Sequence, residues 1–173
     1  IKDFTASIDV WQKDSIERYI IKNYGRLDTF RNDTTGFYYQ ERATLPEGVK
    51  EFPKDTSVYI NYTGKLLNGL VFDTTIEKTA KDYFIYSEDK EYKPVQINWP
   101  ETTEEDYTSI TMGSDDSDVI SGFALTLWQM KAMEKGIGVF YSPLGYSYNG
   151  NGNSIPGYSP LIFIIDIVEN PNK

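Results

Sequence analysis

In the stretch INYTGKLLNGLVFDTT, Ile60 to Thr75, Asp73 stands directly after Phe72, and a carboxylate among large apolar residues needs a partner or a purpose. Such a group can hold a neighbouring hydroxyl, orient a polar part of a substrate, or cap a turn. What the chain lacks narrows the chemistry further. Zero cysteine excludes disulfides, thiolate nucleophiles and zinc-thiolate sites, and zero histidine removes the commonest general base and transition-metal ligand. Among 26 acidic residues no spacing selects a carboxylate pair for glycoside hydrolysis. GSDDSD lacks the register of a calcium loop and its twelfth-position glutamate, so it reads as a solvated acidic turn. NGNGNSIPG contains G-x-G, but no helix with a free N-terminus and no Lys-Ser/Thr follows, which argues against phosphate cradling.

The elements that must position these residues follow from periodicity. Val58, Ile60 and Tyr62 alternate with Tyr59, Asn61 and Thr63, the chain turns through LNG, and LVFD returns, which predicts a β-hairpin. DVISGFALTLWQMK predicts a short buried helix, Phe123 to about Met130, apolar on most sides. IGVFYS reads as a strand. The Gly/Asn-rich loop PLGYSYNGNGNSIPGYSP follows, and LIFIIDIV is apolar enough for a central strand. Nearer the start, KDSIERYIIKNYG predicts a helix with Asp14 as N-cap, Glu17 completing a capping box, Ile16, Tyr19 and Ile20 on one face, and Gly25 as the stop. A polar connection, RLDTFRNDTT, then leads to the strand GFYYQER and the loop LPEGVKEFPKD. Strands outnumber helices without βαβ regularity. The expected class is α+β, an antiparallel sheet packed on one buried helix.

Length and composition agree with one decorated domain, since 173 residues with 39% hydrophobic and 15% aromatic content can build a core. The net charge of −9 and the lack of Lys/Arg clusters argue against a nucleic-acid partner. No window reaches the roughly eighteen apolar residues of a membrane span. The chain begins at Ile1, and a signal or lipid-attachment segment ahead of it is an expectation. Ile76 to Asp118 stands apart: twelve acids against four lysines give it −8 of the total charge. Its Tyr83, Phe84, Tyr86 and Trp99 predict a folded excursion that either packs back on the domain or offers a peptide a second contact surface. A Gly/Ser linker in place of Lys78 to Asp116 is expected to leave the domain folded.

Three pieces in this order, YTGKLLNGLVFDTT, VISGFALTLWQMK and GYSYNGNGNSIPGYSPLIFIIDI, resemble the FKBP-type peptidyl-prolyl cis-trans isomerases. The family pattern is a Y-T-G-x-L-x-x-G-x-x-F-D-S-S hairpin, a V-I-x-G-W helix start and a Y-G…I-P…L-x-F closing segment. The resemblance implies an antiparallel sheet curled around a short helix. Residues 1–50 would form an N-terminal helix and strand extension, and 51–173 an FKBP-like domain with an insertion at about 76–116. It further implies a pocket from Tyr62, Phe72, Asp73, Val119, Ile120, Phe123, Tyr146, Ile155 and Phe163. Of these, Tyr62, Asp73 and Tyr146 would take the catalytic roles and the other six would bind substrate. Proline-containing polypeptides and the family's macrolides are the implied partners, with no cofactor and no metal.

Four departures bear on that pocket. Phe123 stands where the family has tryptophan, Ser147 where it has glycine after the pocket tyrosine, and Gly157 where it has the second proline of I-P-P. The fourth is the insertion. Isomerisation needs no nucleophile, metal or proton relay, so a chain without His or Cys can perform it. The resemblance implies that Tyr62 donates to Asp73, and that the Tyr146 hydroxyl and the Ile120 N–H hold substrate carbonyls. Taken residue by residue, plainer readings stay open: Asp73 as a turn cap facing solvent, Phe72, Phe123 and Phe163 as ordinary core, Tyr146 as a loop tyrosine. Two functions follow, a prolyl isomerase (rotamase) assisting protein folding in the bacterial cell envelope or periplasm, as a lipoprotein anchored through its N-terminus, or a non-catalytic FKBP-like chaperone or peptide-binding module.

Overall fold

The computed structural model describes residues 2–34, 36–40, 57–99, 106–130 and 134–171. The chain opens with α1, Lys2–Tyr24, followed by β1, Phe30–Thr34, and β2, Phe37–Gln40. The hairpin is β3, Ser57–Leu66, and β4, Val71–Thr74. Then come α2, Glu77–Asp82, β5, Val95–Asn98, β6, Thr111–Met112, and β7, Ser117–Asp118. The buried helix α3, Ser121–Gln129, precedes β8, Lys135–Phe140, and β9, Leu161–Val168, closes the fold.

The described strands form one antiparallel sheet in the order β1-β2-β8-β9-β3-β5-β6-β7, with β4 paired to β3 off this path. The near-continuous apolar run of β9 is explained by its place between β8 and β3 with both faces covered. Leu161, Phe163, Ile165 and Ile167 point into the core around α3, and Ile162 points into a second core under α1. Thus α3 fills the concave face, with Phe123, Ala124, Leu125 and Leu127 buried, and α1 covers the other through Ile16 and Ile20.

The α+β class of the sequence reading is the class observed, with three differences at the N-terminal side. The helix starts twelve residues before the expected cap, so Asp14 lies in its interior and pairs with Arg18 one turn on at 2.7 Å. Glu17 accepts from the Tyr38 hydroxyl at 3.0 Å and does not close a capping box. The stop is where expected, at Gly25, which has φ +82°. The polar connection supplies β1, because Phe30 turns under α1 against Tyr24, 5.0 Å between ring centroids. The end of the predicted GFYYQER strand and the LPEGVKEFPKD loop lie outside the described residues.

Gln12 fastens α1 to the rest. It is fully buried, donates to Ser142 Oγ at 2.8 Å and accepts from the Ser142 N–H at 2.7 Å. One amide thereby satisfies both ends of its dipole at a loop 130 residues away, the arrangement that makes a buried polar group tolerable.

The acidic segment is built into the sheet. β4 and β5 share one edge of β3, β4 pairing with Thr63 to Lys65 and β5 with Ser57 to Ile60, so the chain between them crosses from one half of that edge to the other. Ile97, Trp99 and Ile110 are buried in the core around α3. This argues against the expectation that 78–116 can be exchanged for a linker, because removing it takes two strands, β5 and β6, and three core side chains. Trp99 packs back, 6.0 Å from Trp128, whereas Tyr83 and Tyr86 stay largely exposed and Phe84 is 95% exposed. GSDDSD turns between β6 and β7, with Asp116 accepting from Asn98 at 3.0 Å and Thr111 at 2.9 Å.

Candidate functional site

The site starts from the pairing of β3 with β4. The second hydroxyl of the Thr74-Thr75 pair clasps the backbone of Tyr62: the Tyr62 N–H donates to Thr75 Oγ1 at 3.0 Å, and the Thr75 N–H donates to the Tyr62 carbonyl, also at 3.0 Å. Thr74 Oγ1 adds a bond to the same carbonyl at 3.1 Å. Tyr62 is thus fixed before its ring meets anything. Across the hairpin its hydroxyl donates to Asp73 Oδ2 at 2.7 Å.

Gly64, between the two arms, makes room for the aromatic wall. A Cβ there would lie 2.7 Å from the Phe72 ring and 2.9 Å from that of Phe163. With no side chain in the way, Phe72 and Phe163 meet edge to face at 5.7 Å. Phe163 meets Phe123 at 5.1 Å and stacks on Phe140 at 5.9 Å, and Phe123 meets Tyr62 at 5.4 Å. These edge-on contacts fix the rings against one another. Phe123 is 3% exposed at the base of the cluster.

The helix start contributes the next wall. Ile120 is the N-cap of α3 in extended conformation, and Val119 precedes it. The loop between β8 and β9 contributes the last, held by paired backbone bonds between Asn151 and Ile155. Together these elements enclose a cavity of about 670 Å³. All nine residues singled out in the sequence line it: Tyr62, Phe72, Asp73, Val119, Ile120, Phe123, Tyr146, Ile155 and Phe163.

Electrostatics distinguish the two tyrosines. Burial, and then the charge of Asp73, push the Tyr62 hydroxyl well above the ordinary tyrosine range. Tyr146 is raised less simply: burial lifts it, a hydrogen bond with Asn151 opposes this, and the Asp73 charge adds to the rise. Both remain neutral hydroxyls able to donate.

Sequence reasoning missed Met112, Asp118, Asn151, Gly152 and Ser154 on the lining, and Lys90 beside it. Asn151 lines the cavity beside Tyr146 within the Gly/Asn-rich loop, where nothing in the composition marks it. Lys90 reaches Asp73 Oδ1 at 2.6 Å and the Thr74 carbonyl at 2.8 Å. Asp73 therefore has one oxygen on Tyr62 and the other on Lys90. With both oxygens engaged at the cavity, Asp73 is not a turn cap that simply faces solvent.

The departures acquire physical accounts. Ser147 adopts φ +53°, a left-handed conformation that suits the family's glycine better than a serine. A Cβ on Gly157 would collide with the Tyr148 carbonyl, so a proline ring has no place there with the loop as it stands. The loop has been redrawn around these positions while Tyr146 and Ile155 keep their places on the wall.

A sheet curled over a short helix, with an aromatic cavity between them, defines the class of protein. The model of the FKBP-type peptidyl-prolyl cis-trans isomerase family matches residues 48–168, and the chain belongs to that family. Among solved structures it is similar to FkpA from Escherichia coli, at 21% identity and TM-score 0.55, covering 95% of this chain and 63% of that one. It is also similar to a peptidyl-prolyl cis-trans isomerase from Pseudomonas syringae pv. tomato, at 22% identity and TM-score 0.53, covering 88% of this chain and 89% of that one. The chain thus spans less than two thirds of the length of FkpA. Comparison with curated proteins gave no match. No helix among the described residues is long and apolar enough to cross a membrane.

Proposed function

We propose that the chain is an active peptidyl-prolyl cis-trans isomerase that acts on X-Pro bonds of folding polypeptides. The observation that carries this reading is the convergence of Tyr62, Asp73, Tyr146 and the phenylalanines Phe72, Phe123 and Phe163 on one cavity sized for a prolyl residue and its neighbours.

The obstacle to isomerisation is the partial double-bond character of the amide, a barrier of about 18 to 20 kcal/mol. Water stabilises the planar, dipolar amide, so a cavity walled by Phe72, Phe123, Phe163, Val119 and Ile120 favours the less polar twisted state. The Tyr146 hydroxyl and the Ile120 N–H hold the carbonyl groups on either side. Asp73 keeps Tyr62 in place at the wall. Lowering the barrier by about 4 kcal/mol gives an acceleration of about a thousandfold.

The second reading is a holding module without catalysis. It is favoured by the occupation of both Asp73 oxygens, which leaves no free carboxylate to face the substrate. An exchange assay on a Leu-Pro peptide separates the two, because a holding module binds the peptide without accelerating its cis-trans exchange. The cell-envelope setting belongs to the proposal as well. The two solved structures named above come from bacterial proteins, and fractionation of the source cells tests the setting, lipid attachment included.

A further inference from the structure

Lys90 comes from the acidic segment, seventeen residues after Asp73, and it is held in place by more than that one ion pair. Its ammonium also bonds the Thr74 carbonyl and lies 5.4 Å from the centroid of the Tyr92 ring. Tyr92 stacks on Tyr86 at 5.5 Å, its hydroxyl accepts from the Ser87 N–H at 3.0 Å, and Lys81 sits over the Tyr86 ring at 4.7 Å. The turn carrying Lys90 is a braced unit that delivers one cation to one carboxylate.

Charge shows what that cation does. The charged residues lining the cavity are Asp73 and Asp118, both negative, in a chain of net charge −9. Lys90 and Asp73 are each 39% exposed at the side chain, so the pair sits at the mouth, where an approaching peptide meets it. With Lys90 in place the mouth carries about one net negative charge; without it, two.

We propose that Lys90 is a positioning and specificity residue: it holds the Asp73 carboxylate on Tyr62 and cancels one of the two negative charges at the cavity mouth, so that prolyl segments flanked by acidic residues are also admitted. This rests on the pocket being the polypeptide site. A lysine that merely fastened the 86–92 turn would leave the charge preference of the pocket unmoved when replaced.

The test is an NMR titration of the whole chain with two capped peptides, Glu-Leu-Pro-Glu and Lys-Leu-Pro-Lys. Kd is read at the Ile120 and Tyr146 amides, and cis-trans exchange is read from the same samples. In Lys90→Met the preference for the Lys-flanked peptide should rise about tenfold over the parent at low salt. It should return toward the parent value in about 1 M salt, where the Debye length is about 3 Å. Lys90→Arg should restore the parent ratio, and Asp73→Asn in the Lys90→Met background should remove most of the shift. Lys90→Gln carries the same expectation should the Met variant fail to fold. An unmoved ratio with exchange intact overturns the role of Lys90 alone, and a shift that salt does not reduce overturns it too. A moved ratio without any acceleration of exchange supports Lys90 and overturns the isomerase reading; absence of binding by either peptide overturns both.

Discussion

Tyr62 and Asp73, eleven residues apart on the two arms of one hairpin, share a 2.7 Å hydrogen bond that joins the wall of the cavity to its mouth. Tyr62→Phe removes the donor while Lys90 still holds the other carboxylate oxygen. The expected loss is about 1 kcal/mol of stability in urea titration, with the fold retained. Exchange catalysis should fall at least several-fold. In a double-mutant cycle with Asp73→Ala the two losses should not add, because the residues act through one bond.

Phe123 lines the cavity where the family has tryptophan, and a larger ring there would enlarge the apolar surface a ligand meets. Phe123→Trp should strengthen binding of the family's macrolides, read by calorimetry, at a stability cost of about 1 to 3 kcal/mol. Unchanged or weaker binding would show that this position does not set the size of the ligand site.

Ser147 and Gly157 invite opposite changes. Ser147→Gly relieves a left-handed serine and should raise stability by about 0.5 to 1 kcal/mol, less the entropy that glycine adds to the unfolded chain. Gly157→Pro, which would restore the family's I-P-P, should lower stability by about 1 to 3 kcal/mol, because its ring meets the Tyr148 carbonyl. Thermal melts of the two variants check both signs.

These positions also mark how far the sequence was legible. The hairpin, α3 and β9 were readable because each is set by a local pattern: alternation, an all-round apolar helix and an apolar run. Nine of the residues that line the cavity were readable from motif order, whereas Met112, Asp118, Asn151, Gly152 and Ser154 were not. The start of α1 was not, because Asp14 with Glu17 three places on imitates a capping box, and the helix reaches further back through residues that carry no breaker. Neither Gln12 nor Lys90 was legible. Each owes its position to a contact made far along the chain, with Ser142 and with Asp73, and no local spacing encodes such a meeting. In the acidic segment the apolar anchoring through Trp99 was legible, but its charge hid the fact that β5 and β6 join the sheet and that Ile110 enters the core.

That segment gives a further prediction. Replacing 78–116 with a Gly/Ser linker should abolish cooperative unfolding, since β3 loses β5 and the core loses three large side chains. Ile97→Ala alone should cost about 2 to 5 kcal/mol. A cooperative melt of the linker variant near that of the parent would return the segment to the status of a removable insertion.

A chain without histidine whose two site tyrosines are both held above their ordinary range should catalyse exchange at a rate flat between about pH 6 and 9. The sign for stability follows from the same raised values. Tyr62 and Tyr146 are protonated in the fold at pH values where the unfolded chain begins to ionise, so their contribution is complete below about pH 10 and is lost as pH rises toward their folded values. Stability in urea should therefore fall on the alkaline side, and a bell-shaped rate profile centred near neutrality would point to a group outside this site.

The most direct measurement is the cis-trans exchange rate of a Leu-Pro peptide, by NMR or protease coupling, with the parent chain and with Tyr146→Phe. The parent should accelerate exchange well above buffer. Tyr146→Phe, still folded, should lose most of that acceleration while peptide binding weakens only modestly, because the hydroxyl positions a carbonyl and does not build the wall. A parent rate equal to buffer, at peptide concentrations where binding is measurable, would contradict the account and leave a pocket that holds prolyl segments without turning them.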